Sequence, residues 1–121
     1  MERAGEFVET LYRALTEGDV EWFRHRLRGD PADVHIGITD DYWSSADELL
    51  AALARQFAEV AITWTGGERL VTDLGDVVLV VDRPTLRFDD GSEIPTRLTL
   101  VLVRADGTWQ LAHSHLSTGS E

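Results

Sequence analysis

Ala4, Phe7, Val8, Leu11, Tyr12 and Leu15 recur at three- and four-residue spacing, so the chain opens with a helix that buries one face and stops at Gly18. Asp19 is placed to cap a second, shorter helix with Trp22, Phe23 and Leu27 on its apolar side, ended by Gly29-Asp30-Pro31. Val34, Ile36 and Ile38 then alternate with His35, Gly37 and Thr39, which predicts a strand with the apolar set inward and the polar set outward. Ser45 followed three residues later by Glu48 has the spacing of a capping box. The stripe Leu49, Leu50, Leu53 and Phe57 carries the third helix to about Val60.

Beyond Val60 the texture changes to β-branched and aromatic runs. Strands are expected over 61–65, 69–73, 77–88, 94–104 and 109–117, with turns at Gly66-Gly67, Gly75-Asp76, Asp89-Asp90-Gly91 and Asp106-Gly107. The pattern reads as a meander of long antiparallel strands, covered on one face by the helices, in an α+β arrangement. Val77–Val81 and Leu98–Val103 are apolar at consecutive positions, so both faces of these strands ask for burial. One set of helices covers one face only, which predicts a homodimer through the outer face of the sheet.

The whole is one domain over residues 1–121. A net charge of -11 argues against nucleic acid and anionic membrane surfaces as partners. All eleven cationic side chains are arginines, so no lysine can form a Schiff base. The absence of cysteine excludes thiolate nucleophiles and cysteine-ligated metals. Met1-Glu2-Arg3-Ala4-Gly5-Glu6 lacks the apolar run of a secretory signal, and a cytoplasmic location is expected.

The segment from Arg97 to Ser117, with R-x-T, a D-G turn, Trp109 and His113-Ser114-His115-Leu116-Ser117, resembles the closing hairpin of SnoaL-like domains in the nuclear transport factor 2-like superfamily. The stretch from His35 to Ser44 and the Gly18-Asp19 junction resemble the same group, so the likeness spans nearly the whole chain. It implies a cone: three N-terminal helices packed on a strongly curved antiparallel sheet, with a pocket at the open end. The superfamily includes isomerases, dehydratases, polyketide cyclases, transport factors and kinase association domains, and fold alone does not choose among them.

His113 and His115 share one strand face with Trp109, Leu111 and Ser117, a face that the resemblance turns into the cone. They are candidates for proton transfer or anion binding, or else hydrogen-bonded histidines that hold the last strand. With His35 as a third ligand they could also hold a metal, although the resembling family generally works without one, and no cofactor is expected. Arg97 needs a ligand anion or an ion pair with Asp33, Asp40 or Asp41. Asp40 and Asp41 could act as a general base or simply cap the next helix. Trp43, Tyr12 and Trp64 could line the pocket or pack in the core. A catalytic tyrosine facing a strand aspartate, as in ketosteroid isomerase, has no counterpart: Tyr12 is out of step and Val34-His35-Ile36 holds no acid.

Together these features predict a pocket for a small anionic or carbonyl-bearing molecule, with isomerase, cyclase or hydratase chemistry beside a carbonyl as the enzymatic form. A homo-oligomeric association domain is the rival, and a histidine-ligated metal enzyme ranks third.

Overall fold

The computed structural model describes residues 2–38 and 41–118. Helix α1 (Ala4–Glu17) buries Phe7, Val8, Leu11, Tyr12 and Ala14 and ends where Gly18 takes the left-handed conformation, φ 74°. Helix α2 (Val20–Arg26) starts on Asp19, whose carboxylate accepts from the Trp22 amide at 3.1 Å. It ends three residues before the Gly29 breaker because Leu27 leaves the helix to bridge Leu111, and the Arg28 amide donates to the Leu111 carbonyl at 3.0 Å.

Helix α3 (Ala46–Glu59) follows two short strands, β1 (His35–Ile36) and β2 (Tyr42–Trp43). Ser45 Oγ accepts from the Glu48 amide at 3.1 Å as the sequence predicts. The Glu48 carboxylate reaches one residue further back, accepting from the Ser44 amide at 2.8 Å. No helix among the described residues is long and apolar enough to cross a membrane.

The sheet continues with β3 (Ile62–Thr65), β4 (Leu70–Asp73), β5 (Val77–Asp82), β6 (Thr85–Phe88), β7 (Glu93–Ala105) and β8 (Thr108–Thr118). Its order is β2-β1-β8-β7-β5-β4, with β6 also on β7 and β3 on β6. Three departures from a simple meander shape it. The expected strand 77–88 breaks at Arg83-Pro84, because proline has no amide to offer the ladder. β5 then pairs with residues 98–103 of β7, and β6 with residues 93–95. Gly66-Gly67 is not a hairpin turn: β3 pairs with β6 and β4 with β5, so the chain crosses between the two arms of the bent sheet. And β1 lies parallel to β8.

The three helices pack on the concave face. Phe7, Leu11, Phe23, Leu49 and Leu53 meet Val78, Val80, Leu98, Leu100, Leu102 and Leu111 in one core. On the convex face, Leu79, Val101 and Val103 are half-buried, while Val81 and Leu70 are exposed.

At the break in the strand, Asp82 is 0 % exposed. Its carboxylate accepts from Tyr12 Oη at 2.7 Å, Arg69 Nε at 3.1 Å, the Gly67 amide at 3.0 Å and the Arg83 amide at 2.7 Å. Burial alone would raise its pKa. The hydrogen bonds from Tyr12, Arg83, Gly67 and Arg69 outweigh that effect and hold it below the ordinary carboxylate value. A folded-state pKa below the unfolded one contributes stability above about pH 4 that is lost as the pH falls through the folded value. Asp82→Ala is therefore expected to cost about 3–5 kcal/mol in urea unfolding at neutral pH. Asp82→Asn should weaken the acid limb of the stability profile below pH 4, and an unchanged limb would show that the charge of Asp82 is not what is lost there.

Candidate functional site

Between the helices and the concave sheet lies a cavity of about 200 Å³. Its wall is almost wholly apolar: Leu11 and Leu15 from α1, Leu49 and Leu53 from α3, and Leu98, Leu100, Leu111 and Leu116 from the last two strands. Trp43, Trp64, Phe23 and Phe88 add aromatic surface. The polar side chains on the wall, the indoles apart, are Asp41, Gln56 and Ser114. A half-open apolar cavity of this kind suits a compact, mainly apolar molecule oriented by a few polar contacts.

Where the sequence candidates fall is decided by one irregularity in β8. Leu111 pairs with Leu102, but the next pair joins His113 to Val101, so Ala112 is an extra residue and the alternation shifts by one. Ser114 and Leu116, opposite the core residues Leu100 and Leu98, face the cavity. His113, His115 and Ser117, opposite Val101, Thr99 and Arg97, face the convex side. The expectation that His113 and His115 share the Leu111 face is thereby corrected. His113 is half-buried, and its Nδ1–H donates to the Val34 carbonyl at 2.6 Å; His115 is exposed.

Arg97 also stands exposed on the convex side. Its anticipated partner Asp33 is taken by Arg28, whose Nε donates to Asp33 Oδ2 at 3.0 Å. Among the described residues no arginine or histidine lines the cavity, so the positive lining expected for an anionic ligand is not formed by Arg97, His113 and His115. Tyr12, expected at the pocket, instead belongs to the Asp82 cluster; burial and the neighbouring carboxylate push its pKa up, so the hydroxyl stays protonated and donates. Its ring stacks on Trp64 at 6.0 Å, between the cluster and the cavity. Trp64 lines the cavity, and its Nε1 is buried with no hydrogen-bond partner among the described residues.

Trp43 and Asp41 line the cavity as well, whereas Asp40 lies outside the described residues. They close on Gly37, a residue the period-two reading passed over. A Cβ there would stand 2.8 Å from Trp43 Cη2 and 2.9 Å from Asp41 Cβ, so any larger residue would push the indole or the loop away. Adjacent Ile36 and Ile38 contribute to the wall.

The predicted polarity of the first strand is reversed at His35. The register pairs this residue with Ser114 and Trp43, and its side chain is 2 % exposed. Nδ1 lies 2.8 Å from Ser114 Oγ. Thus His35 positions a cavity hydroxyl without itself joining the wall. No three His, Asp or Glu side chains among the described residues are grouped as metal ligands, so His35, His113 and His115 do not form the metal set considered from sequence.

Burial, then the nearby His113, push the His35 pKa down to about 4, against a smaller upward pull from Asp33. Because the unfolded ring titrates near 6.5, folding favours the neutral form. Its contribution is complete above pH 6.5 and fades as the pH falls towards 4. The wild type should lose about 3 kcal/mol over that interval. His35→Asn should flatten the profile there in chemical-denaturation scans at stepped pH. A variant that loses stability as steeply as wild type between those limits would remove His35 as the cause.

Residues 5–120 match the SnoaL-like domain family. Among solved structures, an NTF2-like protein of unknown function from Pseudomonas putida is similar at 16% identity with a TM-score of 0.82, over 94% of this chain and 82% of that one. A protein from Streptomyces avermitilis, provisionally described as an NTF2-like dehydratase, is 20% identical with a TM-score of 0.79, over 91% and 88%. One from Xanthomonas campestris, provisionally described as a calcium/calmodulin-dependent protein kinase II association domain, is 19% identical with a TM-score of 0.78, over 99% and 91%. No curated protein matches the chain. At these identities the structures share the fold, which leaves function to the site itself.

Proposed function

The chain belongs to the SnoaL-like domain family, with an NTF2-like fold, and from that premise we propose that it binds a compact, mainly apolar small molecule inside the cone. The cavity of about 200 Å³ carries this reading, because its wall is apolar except for a few polar groups gathered from separate elements. A ligand that fills it gains packing contacts with an apolar wall that solvent satisfies poorly. Among the described residues Asp41 is the only ionisable side chain on the wall. Isomerase, cyclase or hydratase chemistry beside a carbonyl would therefore draw its base from Asp41 rather than from His113 or His115.

The binding reading is tested with 1-adamantanol, a rigid ten-carbon body of suitable size, followed by the fluorescence of Trp43 and Trp64. About eleven non-hydrogen atoms at about 0.5 kcal/mol each give a Kd on the order of 100 μM. Saturable binding is expected, and Gln56→Trp, which places an indole in the cavity, should abolish it while leaving the circular dichroism unchanged. If wild type shows no saturation up to its solubility limit, or the variant binds equally well, the cavity is not the site.

The convex face supports an accompanying proposal, a homodimer through the sheet. Leu79, Val101 and Val103 are half-buried there beside exposed Val81 and Leu70, an apolar surface that the helices on the other side cannot cover. The Xanthomonas campestris protein, provisionally described as an association domain, shares the fold. Sedimentation equilibrium should give twice the 13.5 kDa chain mass, and Val101→Glu should give the monomer. A wild-type monomer at micromolar concentration would end this reading.

A further inference from the structure

We propose that the cavity's ligand carries a cationic nitrogen, a protonated amine on its apolar body, held by the carboxylate of Asp41 beside the indole of Trp43. This rests on the reading of the cavity as a binding site and specifies what enters it.

Four observations carry it. The first is the sign of the wall: Asp41 is its only ionisable side chain among the described residues, and no arginine or histidine reaches it. The cations nearest the core are already engaged, Arg69 with Asp82 and Glu9, Arg26 with Glu2, and Arg28 with Asp33. The second is that the Asp41 carboxylate has no ion pair and no side-chain hydrogen bond among the described residues. The two buried carboxylates, Asp33 and Asp82, are by contrast paired with Arg28 and with Tyr12, Gly67, Arg69 and Arg83.

The third is geometry. Trp43 Cη2 and Asp41 Cβ both approach the Gly37 Cβ position, at 2.8 and 2.9 Å, so the edge of the indole and the root of the Asp41 side chain meet beside Gly37, and Asp41, itself exposed, stands where the cavity wall reaches solvent. An ammonium bound beside them would have a carboxylate and an indole as neighbours, the pairing by which proteins recognise alkylammonium groups. The fourth is the long-range field: a net charge of -11 raises the local concentration of cations and repels anions of the same shape. A divalent metal is a poor occupant, since it needs several oxygen ligands and no group of three carboxylate or imidazole side chains is present among the described residues.

Three probes with one apolar body and different charge separate these terms: 1-aminoadamantane, 1-adamantanol and 1-adamantanecarboxylate. Titrated calorimetrically into the full chain at neutral pH, the amine is expected to bind at least tenfold more tightly than the alcohol, and the carboxylate more weakly than either. In Asp41→Asn the advantage of the amine should fall to less than threefold. Continued binding of the alcohol there shows that the cavity is intact. Raising the salt should weaken the amine and leave the alcohol unchanged. The proposal is overturned if the alcohol equals or exceeds the amine in wild type, or if the advantage of the amine survives in Asp41→Asn; in both cases the binding reading stands. If none of the three binds, the binding reading fails and this inference with it.

Discussion

Everything in the cone depends on the buried carboxylate of Asp82. An isolated charge at zero exposure would be prohibitively costly, so the fold must bring donors to it. The donors come from three stretches of the chain: Tyr12 on the first helix, Gly67 and Arg69 in the crossing segment before β4, and the Arg83 amide next to Asp82 itself at the break between β5 and β6. Satisfying one carboxylate therefore fixes the helix against the sheet at the place where the sheet bends. A straight strand over 77–88 would carry Asp82 past this meeting point. The Arg83-Pro84 interruption turns it inward, and the Thr96 hydroxyl closes on the Pro84 carbonyl at 2.6 Å to hold the bend. The curvature that encloses the cavity is thus tied to a polar interaction rather than to apolar packing alone.

The second determinant is a single extra residue. Ala112 shifts the parity of the last strand, and with it the identity of every later side chain on the cavity wall. Without it the wall would receive His113, His115 and Ser117, a polar and titratable surface. With it the wall receives Ser114 and Leu116. The hydroxyl that results is positioned by His35, itself buried and kept neutral, so that the one imidazole close to the cavity acts through Ser114. The two remaining strand histidines belong to the convex surface.

How much of this could be read from the sequence follows from which signals are local. The helices were legible because their determinants lie within a few residues: the Asp19 and Ser45 caps, the Gly18 stop and the 3.6-residue stripes. Strand existence was legible from β-branched runs, and the inward set Val78, Val80, Leu98 and Leu100 from the same pattern. Strand partnership was not, because Gly66-Gly67 looks like a hairpin turn until Asp82 claims the Gly67 amide. Nor was the side facing the cavity in β8, since a bulge leaves no period of its own and Leu111-Ala112-His113 reads as ordinary alternation. Two local signals in the sequence do point to these features. An aspartate ending the apolar run 77–81 just before Arg-Pro announces a buried charge in need of partners, and a glycine amid the first strand announces a close approach, here that of Trp43.

These placements segregate charge in a way that bears on how the fold can be put to use. The scaffold charges, Asp82 with Arg69 and Asp33 with Arg28, are paired and saturated, so they hold shape and leave little electrostatic influence on the cavity. Arg97, with the His113 and His115 side chains beside it, lies across the sheet from the cavity. Among the described residues Asp41 is the one ionisable side chain on the cavity wall, on the loop between β1 and β2 rather than on the scaffold. A group in that position can be exchanged without disturbing the Asp82 cluster or the core, because loops tolerate substitution where strands do not. The same cone can therefore be retuned for ligands of different charge by changing one or two residues at the loop, which is the physical reason a shared fold says so little about shared function.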